Sequence, residues 1–273
     1  MQERHLAELV ARLQAAGLLV AAPAADTVVA GAPTHDSRRV AAGGIFVAIP
    51  GRVADGASFA EGAIDRGAAA IVAERKLPVA VPMLVVRDAR AALAEAAAWW
   101  EGDPAEELVT IGVTGTDGKT TTATFLSTAL TAAGLRTGLI STAISRIGGV
   151  QRAAAAHQTT PEAPDLQRDL RAMVQHGDEA AVVESTSHGL QLDRVGAIGF
   201  AAAVYTTFSP DHLDFHGSLA AYRAAKAKLV TRTTGSAASR AKGLPQVVVV
   251  HASDPAVQPF AEAAAAAGLR VAR

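Results

Sequence analysis

The sequence predicts an α/β protein in two parts: a small N-terminal α/β domain over residues 1–103, and a P-loop-type domain over 104–273 whose mostly parallel sheet is covered by helices. Three observations carry this prediction. Short apolar runs alternate with Ala-rich segments along the chain. The turn-forming tetrapeptide Glu101-Gly102-Asp103-Pro104 interrupts that alternation. Directly after it, a Gly/Thr-rich loop sits between an apolar strand and a helix. The chain has 273 residues, enough for two buried cores, and with 50% apolar but only 4% aromatic residues those cores must be built from Ala, Val, Leu and Ile.

In the first part, apolar spacing over 6–13 suits a helix ended by Gly17. Residues 44–49 and 69–73 read as strands, with a helix over 59–66 between them. A strand over 83–86 and a helix over 89–100 complete the domain. In the second part a fresh series begins: strand 109–113, helix 120–133 closed by Gly134, and buried strands 180–183 and 201–206. Such alternation implies a parallel sheet. The small, polar stretch 231–243 (TRTTGSAASRAKG) reads as a mobile loop before a strand over 246–251 and an Ala-rich helix over 261–268. The last residues read as the opening of another strand.

Composition excludes several function classes. The formal charge is −1, from 25 basic and 26 acidic residues, so there is no general attraction for nucleic acid or an anionic membrane, and any phosphate binding must be local. Absence of cysteine removes disulfides, thiolate metal sites and thiol nucleophiles. The N-terminus (MQERHLAELVARLQAAGLLV) is amphipathic without the apolar core of a signal peptide, and no apolar run reaches the ~18 residues of a membrane span. A cytoplasmic location with no membrane or nucleic-acid partner is expected.

Chemistry concentrates in three places. In Val113-Thr114-Gly115-Thr116-Asp117-Gly118-Lys119-Thr120-Thr121-Thr122, glycines allow a tight turn that points successive N–H groups at phosphate oxygens, and the helix that follows adds the positive end of its dipole. Lys119 suits the β/γ-phosphates and the Thr120 hydroxyl suits Mg²⁺. Glu184 falls at the C-terminal end of an apolar strand, where open sheets collect ligands; a carboxylate there reads either as the start of an exposed loop or as a cation ligand. Ser209-Pro210-Asp211-His212-Leu213-Asp214-Phe215-His216-Gly217 packs two His and two Asp into a strand-to-helix loop. By itself this segment reads equally as a capped turn or a metal site; beside Glu184 and the glycine loop it reads as metal-related.

The strict G-x-x-x-x-G-K-[ST] pattern would require glycine where Val113 stands. The form T-G-T-x-G-K-T-T resembles instead the ATP loop of the Mur ligase and folylpolyglutamate synthetase superfamily. D-H-L-D-F-H-G followed by Y-x-x-A-K (Tyr222 to Lys226) resembles the Mur ligase signature, which implies that His212 holds a second Mg²⁺ and that Lys226 is carbamylated. His35-Asp36-Ser37-Arg38-Arg39-Val40 with the Gly44-to-Gly51 and Asp55-Gly56 segments resembles the members that add the third residue or the terminal dipeptide, with the Ser37 loop touching the UDP part of the substrate. Gln158-Thr159-Thr160-Pro161 and Glu184-Ser185-Thr186-Ser187-His188-Gly189-Leu190, followed by Arg194, resemble the segments of third-residue ligases near the muramoyl substrate. An arginine fork suits diphosphate.

What the resemblance implies is an ATP-dependent amide-bond ligase. It would add diaminopimelate, lysine or ornithine to UDP-N-acetylmuramoyl-L-Ala-D-Glu through an acyl phosphate, as a step of peptidoglycan synthesis. ATP would lie on Gly115, Thr116, Asp117, Gly118, Lys119, Thr120 and Thr121. Mg²⁺ would be held by Thr120, Glu184, His212 and Lys226, and the UDP-substrate by Ser37, Thr159, Thr160, Thr186, Ser187 and Arg194. Lys119, Lys226 and His212 carry the catalytic expectation. Partners would be the UDP-muramoyl-dipeptide and a free diamino acid, with a monomer favoured.

The sequence departs from the pattern at Asp117 for Asn, Thr186 for Ser, Leu192 for a polar residue and Pro210 for Arg. Because family members continue through the rest of the ATPase domain and a C-terminal domain that selects the amino acid, the chain is expected to be inactive alone. Two other readings stand beside this one: a non-catalytic fragment or paralogue that binds nucleotide or UDP-sugar, and a P-loop kinase, which leaves the HDSRRV, TTP and DHLDFHG segments without a role.

Overall fold

The computed structural model describes residues 2–51, 54–153 and 159–273. It divides into two compact units, Met1–Gly102 and Asp103–Arg273.

The first unit is built on a five-stranded sheet in the order Leu19–Ala21, Met83–Val86, Ala70–Ala73, Ile45–Ala48, Pro33–Thr34. Leu19–Ala21 runs antiparallel to its neighbour and the remaining pairs are parallel. Ile45–Ala48 and Ala70–Ala73 are buried at every position, which is why they read as continuous apolar runs rather than alternating ones. Ile45, Val47 and Val72 pack against Leu6, Leu9, Leu13, Leu93 and Trp99 of the helices Leu6–Ala15 and Ala89–Glu101. Phe46 and Ile71 pack with Ala63 of the helix Ala60–Asp65 on the other face. That helix is shorter than the sequence suggests, because Gly56–Phe59 forms a separate 3₁₀ turn capped by Asp55.

The second unit has an eight-stranded sheet in the order Val150–Ala153, Ile144–Ile147, Thr137–Ile140, Ala180–Glu184, Val109–Thr114, Ala202–Tyr205, Val247–Val250, Arg270–Ala272. The first two strands form an antiparallel hairpin on its edge and the other six are parallel, so the expected mostly parallel α/β class is what the chain adopts. Val109–Thr114 lies between Ala180–Glu184 and Ala202–Tyr205, so chain order reverses around it. Ligands of open α/β sheets gather outside the carboxyl ends of strands at such a reversal, and the Gly/Thr loop leaves the sheet there. One face is closed by a cluster including Leu166, Leu170, Met173, Tyr205, Tyr222, Leu229 and Phe260. The other is closed by Ala123 of the helix Lys119–Ala132, packed with Ile111, Val113, Leu139 and Val182.

The stretch 231–243 is not the mobile loop that its small, polar residues suggest. Ser236 caps a helix, Ala237–Ala241, and donates to the Leu108 carbonyl at 2.7 Å; Thr233 donates to the Leu229 carbonyl at 2.8 Å. Thr233, Ser236 and Ser239 are at most 2% exposed. Side chain-to-backbone hydrogen bonds of this kind let small hydroxyl residues be buried without a penalty for unpaired groups. Among the described residues, no helix is long and apolar enough to cross a membrane.

Candidate active site

Thr114 ends the strand Val109–Thr114 and Lys119 begins the helix Lys119–Ala132, so only four residues make the turn between them. Gly118 caps the helix with φ +79°, and Gly115 has φ +151° with Thr206 Oγ1 standing where a Cβ would be. Neither position accepts a side chain without displacing the turn.

The loop is held from the neighbouring strand. The Thr116 N–H donates to the Thr207 carbonyl at 2.8 Å and the Asp117 N–H to Thr207 Oγ1 at 3.0 Å, while Thr206 Oγ1 donates to the Asp117 carbonyl at 2.5 Å. Thr116 Oγ1 donates to the Ser209 carbonyl at 3.0 Å and lies 3.1 Å from the buried Tyr222 hydroxyl. The side chain of Asp117, where a relative's pattern has Asn, stays exposed. Sequence reading missed Thr206 and Thr207; they adjoin the loop only through the sheet, some ninety positions on.

Two lysines converge on this loop. Lys119 Nζ donates to the Thr116 carbonyl at 2.8 Å and Lys226 Nζ to the Gly115 carbonyl at 2.6 Å. Lys226 is 1% exposed on the helix Leu219–Thr231, with its Nζ 4.7 Å from the centre of the Tyr222 ring. Burial, reinforced by the positive charge of Lys119, pulls its pKa down to about 7; Asp211 and Asp117 oppose the shift. It is therefore not the solvated helix lysine that composition alone suggests.

Glu184 ends its strand at 1% exposure. Thr120 Oγ1 lies 3.0 and 2.9 Å from its two carboxylate oxygens, the Thr142 N–H donates at 3.0 Å, and Thr142 Oγ1 donates at 3.1 Å. All of these donors are neutral, and among the described residues no Lys, Arg or His pairs with this carboxylate. A buried anion in such surroundings beside a hydroxyl matches a hard cation in charge and in donor chemistry.

His212 is an exposed residue at φ +51° that caps the single-turn helix Leu213–His216, with Nε2 3.3 Å from Asp211 and its ring edge-on to His188 at 4.8 Å. By itself the segment forms the capped turn, one of the two readings its residues left open, with His212 at the N-cap and Gly217 at the C-cap. Among the described residues no group of three or more His, Asp or Glu is placed to hold a metal ion. His216 instead packs edge-on to His188 and against Tyr222, and His188 lies over Phe215. Burial lowers the pKa of both His188 and His216, with His212 adding to the effect. These rings serve as packing.

The residues expected to touch a UDP-sugar also have structural tasks. Thr160 Oγ1 donates to the Glu184 carbonyl at 2.9 Å and accepts from the Thr186 N–H at 3.1 Å. The Thr186 side chain caps the helix Ser187–Gln191, and Ser187 is 2% exposed. Arg194 is 8% exposed; its guanidinium donates to the Thr160 carbonyl at 3.0 Å and pairs with Glu162 at 2.6 Å. One terminal nitrogen thus holds Thr160 and the other Glu162, while the buried Nε has no partner among the described residues. Thr159 itself is half-buried, and Gln158 lies outside the described residues.

In the other unit, half-buried Ser37 opens a 3₁₀ turn capped by Asp36, whose carboxylate takes the Arg38 N–H at 3.0 Å and its guanidinium at 2.9 and 2.8 Å. The guanidinium holds the Asp36 pKa down to about 2. The turn is pinned by its own sequence, so Ser37 has a fixed backbone.

Residues 113–273 match the Mur ligase middle domain, and residues 33–100 match the Mur ligase family catalytic domain. A UDP-N-acetylmuramyl-tripeptide synthetase of Deinococcus radiodurans is 49% identical over 216 residues, covering 77% of this chain and 44% of that protein. A UDP-N-acetylmuramoyl-L-alanyl-D-glutamate–2,6-diaminopimelate ligase of Halalkalibacterium halodurans is 40% identical over 227 residues, covering 83% and 45%. A solved structure of a ligase with that same activity in its name superposes with a TM-score of 0.70 at 28% identity, covering 88% of this chain and 47% of that one. The chain spans about half the length of the curated relatives it matches.

Proposed function

The chain belongs to the Mur ligase family, and from that premise we propose that it contributes the nucleotide and UDP-substrate side of an ATP-dependent ligase adding a diamino acid to UDP-N-acetylmuramoyl-L-Ala-D-Glu. One observation carries the reading. The helix-capping loop, its lysine and a buried carboxylate bonded to the first helical hydroxyl form one connected unit at the carboxyl ends of the central strands.

In this reading the loop N–H groups and Lys119 hold the β- and γ-phosphates of ATP, and the open cleft lined by Asp117, Gly118, Thr122, Thr206 and His251 lies beside them. Thr120 and Glu184, with His212 and carbamylated Lys226, would hold magnesium, which supplies neutralising charge at the transferring phosphoryl group. The γ-phosphoryl group passes to the D-Glu carboxylate, giving an acyl phosphate and ADP. The incoming amine then attacks the acyl carbon, loses a proton and displaces phosphate as the amide forms. No side chain need become covalently attached to substrate; positioning and charge do the work.

Carbamylation of Lys226 fits its environment. Only a neutral amine attacks CO₂, forming an N–C bond and releasing a proton. A pKa near 7 gives a large neutral fraction at physiological pH. The product is an anion with oxygen donors in place of a buried cation beside Lys119.

The test is amino-acid-dependent phosphate release and amide formation by the protein that carries these residues, offered UDP-muramoyl-dipeptide with diaminopimelate, lysine or ornithine. Lys119→Ala should lower kcat by roughly 10²–10³-fold, the usual cost of one transition-state charge donor. Unchanged turnover would refute the assignment.

A further inference from the structure

Thr142 is a residue that neither the glycine loop nor the signature segments point to. It stands two positions beyond the strand Thr137–Ile140, whose parallel pairing with Ala180–Glu184 sets Ile140 beside Val183 and so brings the following residues level with Glu184. Its N–H donates to Glu184 Oε2 at 3.0 Å, and its hydroxyl lies 3.1 Å from Glu184 Oε1 and 2.9 Å from Thr159 Oγ1. The Thr142 hydroxyl is aimed as a donor at both oxygens, and its single proton serves one of them at a time, Glu184 Oε1 or Thr159 Oγ1, while its N–H stays on Glu184 Oε2.

Hydrogen bonds from Thr142 therefore link Thr159 to Glu184, and Thr120 donates to the same carboxylate. With its N–H on one oxygen and its hydroxyl on the other, Thr142 fixes the plane of the Glu184 carboxylate. The same hydroxyl fixes the rotamer of Thr159. We propose that Thr142 is a positioning residue that couples the nucleotide–magnesium side of the site to the Thr159–Thr160 segment, so that occupation of either side tightens the other. The inference rests on the functional reading above, in which Thr120 and Glu184 serve magnesium–ATP and Thr159 and Thr160 serve the UDP-muramoyl substrate.

The coupling has a physical basis in shared orientation. Either ligand fixes one end of this hydrogen-bonded link and so removes freedom that the other ligand would otherwise have to remove. It is reciprocal by thermodynamic necessity, and the loss of one such hydrogen bond changes it by roughly three- to tenfold. A hydroxyl that merely stabilised the fold would weaken both sites without linking them.

The experiment is calorimetric titration of the chain with magnesium plus a non-hydrolysable ATP analogue and with UDP-muramoyl-dipeptide, each alone and each with the other saturating. In the unsubstituted chain each ligand should tighten the other. Thr142→Val, which keeps the N–H and removes only the hydroxyl, should abolish that mutual tightening, and Thr142→Ser should restore it. Thr159→Val breaks the same link at its exposed end and stands in if the first variant fails to fold. Mutual tightening that survives Thr142→Val or Thr159→Val overturns the proposal, as does its absence in the unsubstituted chain. Failure of that chain to bind one or both ligands overturns the functional reading first and the proposal with it.

Discussion

The glycine loop at 114–119 and the segment at 209–217 both follow strands of one parallel sheet and emerge at the same edge, yet they are held by opposite means. The first is fastened by hydrogen bonds with Thr206, Thr207, Lys119 and Lys226, and beneath it Glu184 accepts from Thr120 and Thr142. The second exposes His212 in a left-handed backbone conformation and rests on stacked rings of His188, Phe215, His216 and Tyr222. Hydrogen bonds prescribe atom positions; ring packing prescribes a surface. The loop is therefore fixed atom by atom in advance of any ligand, whereas His212 is held by Asp211 and by edge-on contacts of its ring with His188 and Tyr222.

The strongest way to break this comparison is at Glu184. Glu184→Gln keeps the shape but turns an NH₂ toward the Thr120 and Thr142 donors, in a site with 1% exposure. Both fold and function should suffer: about 1–3 kcal/mol of stability by denaturant titration, from donors left facing donors, and roughly 10²–10³-fold in turnover. Stability equal to that of the unsubstituted protein would mean that the carboxylate's hydrogen bonds are not what holds this region.

Lys226 touches both regions, through the Gly115 carbonyl and the Tyr222 ring, and supplies the second test. Its folded-state pKa, about 7, lies below the 10.5 of the unfolded chain. Between those values the unfolded state binds the extra proton, so stability should rise with pH across this window; below about pH 7 both states are protonated and this contribution is flat. The slope is at most about 1.4 kcal/mol per pH unit. Denaturant titrations at pH 7 and 9 in CO₂-free buffer, compared with Lys226→Met, isolate it. Equal pH dependence in the two proteins would show that the lysine is not desolvated.

How much of this could be read beforehand follows from how local each feature is. The loop from Gly115 to Thr120 and the carboxylate of Glu184 were legible because a strand end, glycines and a helix start are consecutive in sequence. The partners that complete them were not. Thr142, Thr206 and Thr207 arrive through strand pairing, and nothing in their immediate neighbours marks them. The hairpin Ile144–Ile147 and Val150–Ala153 escaped because its second strand is exposed throughout and so lacks an apolar pattern. The stretch at 231–243 misled because hydroxyl residues that bond the backbone have the composition of a loop even when buried.

The smallest effect is expected at His212, and it sharpens the comparison because its sign is the reverse. A non-glycine residue at φ +51° carries strain of about 1 kcal/mol or more, which glycine relieves, while glycine's greater freedom in the unfolded chain returns part of that gain. His212→Gly should therefore leave stability unchanged or raise it by up to ~1 kcal/mol. The imidazole gives up an edge-on contact with His188, ring centroids 4.8 Å apart, and a half-exposed pairing with Asp211, its sequence neighbour, both of modest worth. If His212 serves the reaction, turnover should fall at the same time. A stability loss above ~1 kcal/mol would show that the edge-on ring contacts of the imidazole outweigh the strain of its backbone, and the contrast between a loop fastened by hydrogen bonds and one left strained would fail.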